Sequence, residues 1–139
     1  MALRYLLDTN VLSEPLRPAP DPKLLAHLTE ADDTIATAAP VWHELGFGVA
    51  RLPPGRRRRA LEAALMRMEG ALVVLPYDKE AAWWHARERA RLAKAGKTPS
   101  FADGQIAGIA KVNDLILVTR NRGDFAAFSN VRVESWFAD

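Results

Sequence analysis

Cysteine is absent from these 139 residues. That excludes a disulfide scaffold, a thiolate zinc site, an iron–sulfur cluster and a thiol nucleophile. Histidine is sparse: His27, His43 and His85 lie far apart and show no metal-ligand spacing. No apolar run reaches the length of a membrane span. The opening apolar stretch is interrupted at Asp8 and lacks the layout of a signal peptide, so a cytoplasmic protein is expected. Neither sign of charge dominates, because 19 Lys+Arg against 17 Asp+Glu leave only +2. Net charge alone therefore names no partner. Repeats, low-complexity tracts and long linkers are also missing, and a single domain over residues 1–139 is expected.

What is present is globular composition, 49% hydrophobic and 26% charged, arranged as alternating strands and helices. Short apolar runs at Leu3 to Leu7, Thr34 to Thr37, Ala71 to Leu75, Leu115 to Thr119 and Val131 to Val133 read as strands. Helices are expected after Asp21-Pro22, from Pro40 to Arg51, over residues 56–69, from Asp78 to Ala95 and from Ser100 to Val112. Strands separated by helices argue for an α/β protein with a mostly parallel sheet covered on both faces.

Four carboxylates stand out in that frame. Open α/β sheets bind ligands at the carboxyl ends of their strands. Asp8 directly follows the first strand, and Asp124 follows the fourth after a short loop. Either could instead cap a helix, beginning near Val11 or at Phe125 respectively. Glu44 lies at i+3 in a stripe formed by Val41, Leu45 and Gly48, the side expected to face the core, with a rim position bonded to an arginine as the alternative. Asp103 heads a similar stripe with Ile106, Ala107 and Ala110. It also stands at the third position of a Ser100 capping box, which prefers Glu or Gln there.

If these four acids meet, repulsion dominates the site, since two charges 4 Å apart interact by about 4 kcal/mol at an effective dielectric near 20. No buried lysine or arginine in these stretches offsets it, whereas a divalent cation would. With oxygen ligands only, Mg²⁺ or Mn²⁺ fits best, which points to a metal-dependent phosphodiesterase.

The chain also resembles a known family. Leu6 to Leu12, Trp42 to Val49 followed by Arg51 to Arg56, Pro99 to Ala107, and Val118 to Phe125 resemble, in order, the four motifs of PIN-domain ribonucleases, most similarly the VapC-type toxins. The resemblance implies a three-layer α/β/α sandwich whose acidic pocket, made of Asp8, Glu44, Asp103 and Asp124, binds Mg²⁺, with Mn²⁺ as substitute. It makes Thr9, Asn10, Thr119 and Asn121 the polar neighbours that orient those carboxylates. It further implies an endoribonuclease acting on single-stranded or structured RNA, a homodimer, and a cognate antitoxin. Arg56, Arg57, Arg58 and Arg59, or the basic helix from Arg87 to Lys97, are the candidate contacts to RNA phosphates. A housekeeping RNA-processing nuclease, a non-catalytic acidic-pocket module and a phosphatase or receiver using Asp8 are the competing readings. Asn10 stands where dehalogenase-type phosphatases carry a second Asp, and Thr119-Arg120-Asn121 where a receiver carries its lysine, both against the last.

Adjacent Trp83 and Trp84 cannot share a helix face, so one is expected in the core and the other at a contact surface. Trp136 and Phe137 either seal an edge or form an interface.

Overall fold

The computed structural model describes residues 2–138. Its strands are β1 (Tyr5–Leu7), β2 (Ile35–Ala38), β3 (Val73–Leu75), β4 (Ile116–Val118) and β5 (Val133–Glu134). Its α-helices are α1 (Thr9–Ser13), α2 (Pro22–Glu30), α3 (Ala39–Ala50), α4 (Arg56–Ala71), α5 (Lys79–Lys94) and α6 (Phe101–Val112). The strands form one sheet in the order β3-β2-β1-β4-β5, and every pairing is parallel.

Successive strand residues point to opposite faces. In β1 both Leu6 and Leu7 are buried, in β2 so are Ala36, Thr37 and Ala38, and in β4 all three residues are. Both faces of the sheet are therefore covered, which makes the three-layer sandwich. The buried Thr37 hydroxyl is satisfied by donating to the Leu7 carbonyl oxygen at 2.7 Å.

The strand order reverses beside β1. The chain adds β2 and β3 on one side, then returns to place β4 on the other. Leu7 pairs with Val118, and the Asp8 amide donates to the Val118 carbonyl oxygen at 2.9 Å. The residues leaving β1 and β4 thus emerge side by side at the switch point, where α/β sheets open a crevice.

The helix signals operate as their chemistry requires. Asp21 caps α2 by accepting from the amides of Lys23 and Leu24, with Pro22 at the first helical position. Asp78 caps α5 through the Ala81 amide. Helices α5 and α6 pack closely because α6 presents glycines there: an added Cβ on Gly104 would overlap the His85 ring, and one on Gly108 would stand 2.9 Å from the Ala81 carbonyl oxygen.

Trp83 is 66% exposed, whereas Trp84 packs against Phe128 with ring centroids 6.2 Å apart. Trp136 and Phe137 are buried and seal the edge. Trp136 stacks on His27 and meets Tyr5 edge-on, while the Arg120 guanidinium covers Phe137 at 3.9 Å.

Candidate active site

Asp8 is buried at the carboxyl end of β1 and both its oxygens are engaged. One accepts the Thr9 amide at 2.8 Å, which caps α1, and the other accepts the Thr119 hydroxyl at 2.8 Å. Asp8 therefore caps α1 and also stands at the carboxyl edge of the sheet. Thr119 directly follows β4 and is fully buried. Its hydroxyl oxygen accepts from the Asn10 side-chain amide at 3.3 Å and from the Asn121 backbone N–H at 3.1 Å. Two donors at the oxygen leave the hydroxyl proton only one direction, toward Asp8. Asn10 completes the tie by accepting the Arg120 amide at 3.0 Å. Of the four polar neighbours, Asn121 contributes its backbone N–H here.

Glu44 takes the rim alternative, with the Thr9 hydroxyl rather than an arginine as its bonded partner. It is exposed at the rim, not turned to the core, and accepts the Thr9 hydroxyl at 2.6 Å. The reason is angular. At 100° per residue, Glu44 lies about 60° from Val41, off the edge of the stripe whose buried members are Val41, Leu45 and Val49. Asp103 stands half-buried in the first turn of α6, and its amide donates to the Ser100 hydroxyl oxygen at 3.1 Å. Asp124 is exposed and closes a 3₁₀ turn over Arg122–Asp124. No helix begins at Phe125, so the capping alternative for Asp124 is not realised.

The acids share one electrostatic environment. Burial holds the Asp8 carboxyl above the usual aspartate range, against the pull of the Thr9 amide and Thr119 hydroxyl, and the charges of Glu44 and Asp124 add to the rise. Burial also raises Asp103. The Ser100 hydroxyl opposes that rise, while Asp8, Asp124 and Glu44 reinforce it. Among the described residues, none of the four is in an ion pair. The ion pairs among the described residues are Arg17–Glu14, Arg58–Glu62, Arg91–Glu88 and Arg132–Asp114.

All donors at the site are oxygens, and their uncompensated charge suits a hard divalent cation. Among the described residues no three acids are close enough to grip an ion without help. The acids are spread but stay within electrostatic reach of one another, Asp103 feeling Asp8, Asp124 and Glu44, and Asp8 feeling Glu44 and Asp124.

The family model of the PIN domain matches residues 5–131. The chain belongs to the PIN-domain family. It is 36% identical to toxin FitB of Neisseria gonorrhoeae, over 94% of this chain and 97% of that one. It is 33% identical to VapC ribonuclease Y4jK of Sinorhizobium fredii over 94% and 96%. Against the tRNA(fMet)-specific endonuclease VapC of Salmonella typhimurium the identity is 30% over 96% and 98%. Among solved structures, FitAB bound to an IR36 DNA fragment superposes with a TM-score of 0.85 at 33% identity, covering 97% of each chain. DNA-bound VapBC from Salmonella typhimurium gives 0.84 at 26%, covering 96% and 98%. PIN-domain nucleases depend in general on a divalent metal, which agrees with the donor set above.

Beside Glu44 this PIN domain has a groove of about 540 Å³, walled largely by apolar side chains such as Leu16, Leu52, Leu61 and Leu65, which Arg17, Arg51 and Arg57 border. Arg17 is already paired with Glu14 at 3.4 Å. Only Arg57 comes from the four-arginine run. Arg58 is occupied by Glu62 at 3.8 Å and the Leu52 carbonyl oxygen at 3.3 Å, and Arg56 and Arg59 do not line the groove. In the other basic helix, Arg91 is held by Glu88 and the Ala127 carbonyl oxygen. Sequence reasoning missed Arg17 and Arg51, which stand alone in the chain without a cluster to mark them.

Proposed function

We propose that this PIN domain is a metal-dependent endoribonuclease, the toxin half of a toxin–antitoxin pair, cutting phosphodiester bonds of RNA in the cytoplasm. The observation that carries the reading is four mutually repelling carboxylates near the switch point, none of them in an ion pair among the described residues. Asp8, Glu44, Asp103 and Asp124 are the residues that would hold Mg²⁺, with Mn²⁺ as substitute. A bound ion of this kind supplies water activation at neutral pH and stabilises the charge developing on a transferred phosphoryl group.

The chain's own residues do the positioning. Thr119, fixed by Asn10 and the Asn121 amide, holds Asp8 in one orientation. Thr9 does the same for Glu44. Such fixed groups need no reorganisation as charge builds, which is where electrostatic catalysis gains. Arg51 and Arg57, on the border of the groove beside Glu44, lead the RNA backbone toward it. Relatives named as toxins and a fold shared with FitAB and VapBC complexes support a cognate antitoxin and a homodimer.

The test is cleavage of an end-labelled panel of single-stranded and hairpin RNAs by antitoxin-free protein. Cutting is expected with Mg²⁺ or Mn²⁺ and none with EDTA. Folded, metal-supplied protein that cuts no RNA, including total cellular RNA, defeats the reading. RNA affinity is expected to fall with salt at a log–log slope of about 1.4, because two arginine–phosphate contacts release roughly 0.7 counterion each on a single strand. A flat salt dependence would remove Arg51 and Arg57 from the RNA path.

A further inference from the structure

Asp124 is carried by a stretch with little regular structure of its own. Residues 121–124 are exposed, and after the 3₁₀ turn the chain runs on through further turns toward β5. Upstream the stretch is fixed where the Asn121 amide meets the Thr119 hydroxyl. Downstream it is fixed to α5. Phe125 and Phe128 are buried, and Phe128 packs against Trp84 of that helix. One turn beyond Trp84 stands Glu88, a carboxylate buried to 8% exposure. One of its oxygens accepts the Ser129 amide at 2.7 Å, and the two together accept the Arg91 guanidinium as a fork, at 2.9 and 3.0 Å. Arg91 also donates to the Ala127 carbonyl oxygen at 2.9 Å. Arg91 and the Ser129 amide hold the Glu88 carboxyl below the usual glutamate range despite its burial. A buried ion pair often holds a fold no better than apolar side chains of the same volume. What a forked pair adds is direction, because each of its bonds accepts one geometry.

We propose that the Glu88–Arg91 pair is a positioning device for Asp124, fixing the far side of its loop so that this carboxylate keeps its place among the acids. The inference rests on the metal-dependent nuclease reading above and assigns work to two residues outside the acidic site. The path from the pair to Asp124 is short and bonded throughout. Ala127 and Ser129 lie three and five residues beyond Asp124. Between them and the acid, the Phe128 amide donates to the Phe125 carbonyl oxygen at 3.2 Å, and the Phe125 amide to that of Arg122 at 3.1 Å. Helix α5 thereby supports two acids. Helix α6, with Asp103, seats on it through Gly104 and Gly108, and the Asp124 loop seats on it through Glu88 and Arg91. Trp84 faces both, Gly108 on one side and Phe128 on the other. Arg91, expected from the basic helix to be free for RNA phosphates, is engaged in this tie instead. Groups that orient metal ligands from outside are worth about 10–100-fold in metal affinity or activity.

Calorimetric titration of EDTA-stripped protein with Mn²⁺, at a temperature where every variant is folded, tests it. Arg91→Ala is expected to weaken Mn²⁺ binding about tenfold, the low end for groups acting from outside a metal site. In an Asp124→Asn background the same change should add less than about twofold, because the acid it positions no longer binds as a carboxylate. RNA cleavage by Arg91→Ala should recover toward wild type as Mn²⁺ is raised. Arg91→Lys, which keeps the charge without the fork, is the second variant should Arg91→Ala fail to fold, with a loss of about threefold expected. Wild-type Mn²⁺ affinity in these variants, with only the melting temperature lowered, overturns the inference and leaves the pair a support of the fold. Equal losses with and without Asp124→Asn overturn it as well, since Arg91 then acts through another group. Either result, beside metal-dependent cutting by wild type, sinks only this inference. Arg91-dependent Mn²⁺ binding with no cutting of any RNA by wild type sinks only the nuclease reading. A wild type that takes up no Mn²⁺ defeats both.

Discussion

Asp103→Asn is expected to lower metal-dependent RNA cleavage on the order of 10³-fold while raising the melting temperature of the metal-free protein. Both effects have one origin. Asparagine has nearly the shape of aspartate, and the Asp103 amide can still donate to the Ser100 hydroxyl oxygen, so the first turn of α6 keeps its cap. What is lost is a charge in a site whose proposed work is electrostatic, and single preorganised groups in such sites are worth 10²–10³ or more in rate. What is relieved is repulsion from Asp8, Asp124 and Glu44. Solvent screening of this half-buried group keeps the gain small, about 2–3 °C by differential scanning fluorimetry in EDTA. Mg²⁺ or Mn²⁺ should stabilise wild type and stabilise the variant much less, because ligand stabilisation follows affinity. A variant that cuts like wild type removes Asp103 from the site; one that melts several degrees lower makes its role structural.

The direction of pH dependence follows from the same carboxyls. Asp8 and Asp103 both titrate above the ordinary aspartate value of 3.8. Between that value and the raised one, the folded protein binds more protons than the unfolded chain, so folding stability falls as pH rises. Their ionisation therefore destabilises the metal-free fold at neutral pH, and the penalty disappears below 3.8. The Asp103→Asn advantage in EDTA should shrink as pH is lowered through this window. If it grows instead, Asp103 is stabilised as a carboxylate by something other than its acidic neighbours.

The sequence disclosed what depends on short range and on type. An apolar run ending in an acid marks Asp8, and the same pattern with a polar loop brings Asp124 to the same sheet edge, because strand ends are read directly from composition. Angles and pairings across the fold were less legible. Glu44 looked core-facing from a stripe of three residues, yet an offset of about 60° is enough to put a side chain at the rim. Its partner proved to be Thr9, a residue whose proximity depends on how α1 leaves β1. The four consecutive arginines attracted notice as a run, but helix geometry sends them to different sides and only Arg57 reaches the groove. Arg17 and Arg51 became visible only once α3, α4 and the turn after α1 were packed together.

The contact between Gly104 and His85 was equally hidden, since nothing in an Asp-Gly pair inside a helix announces a neighbour nineteen positions earlier. Its disruption should have the largest effect on stability of any single methyl group added near the site. A Cβ at Gly104 would fall 2.0 Å from Nε2 of His85 and 2.4 Å from Cδ2, well inside contact distance. The ring has little freedom to retreat. It is buried, bonded through Nδ1 to the Tyr77 hydroxyl at 2.8 Å, and flanked by Phe101 with centroids 4.9 Å apart. Gly104→Ala gains about 1 kcal/mol of helix propensity, yet overpacking of a fixed core costs about 1–3 kcal/mol and at times more. With overlap this deep the upper end applies, a net loss of about 2 kcal/mol and a melting temperature lower by about 6 °C. The clash pushes α6 away from α5 and carries Asp103, the adjacent residue, with it, so cleavage should fall by more than the unfolded fraction explains. His85→Ala removes the ring and should cost stability alone, but in the Gly104→Ala background it should restore part of both stability and rate. That non-additivity identifies direct contact between the two positions. Additive losses in the double variant would mean that the methyl group is accommodated elsewhere and that the α5–α6 spacing does not set the position of Asp103.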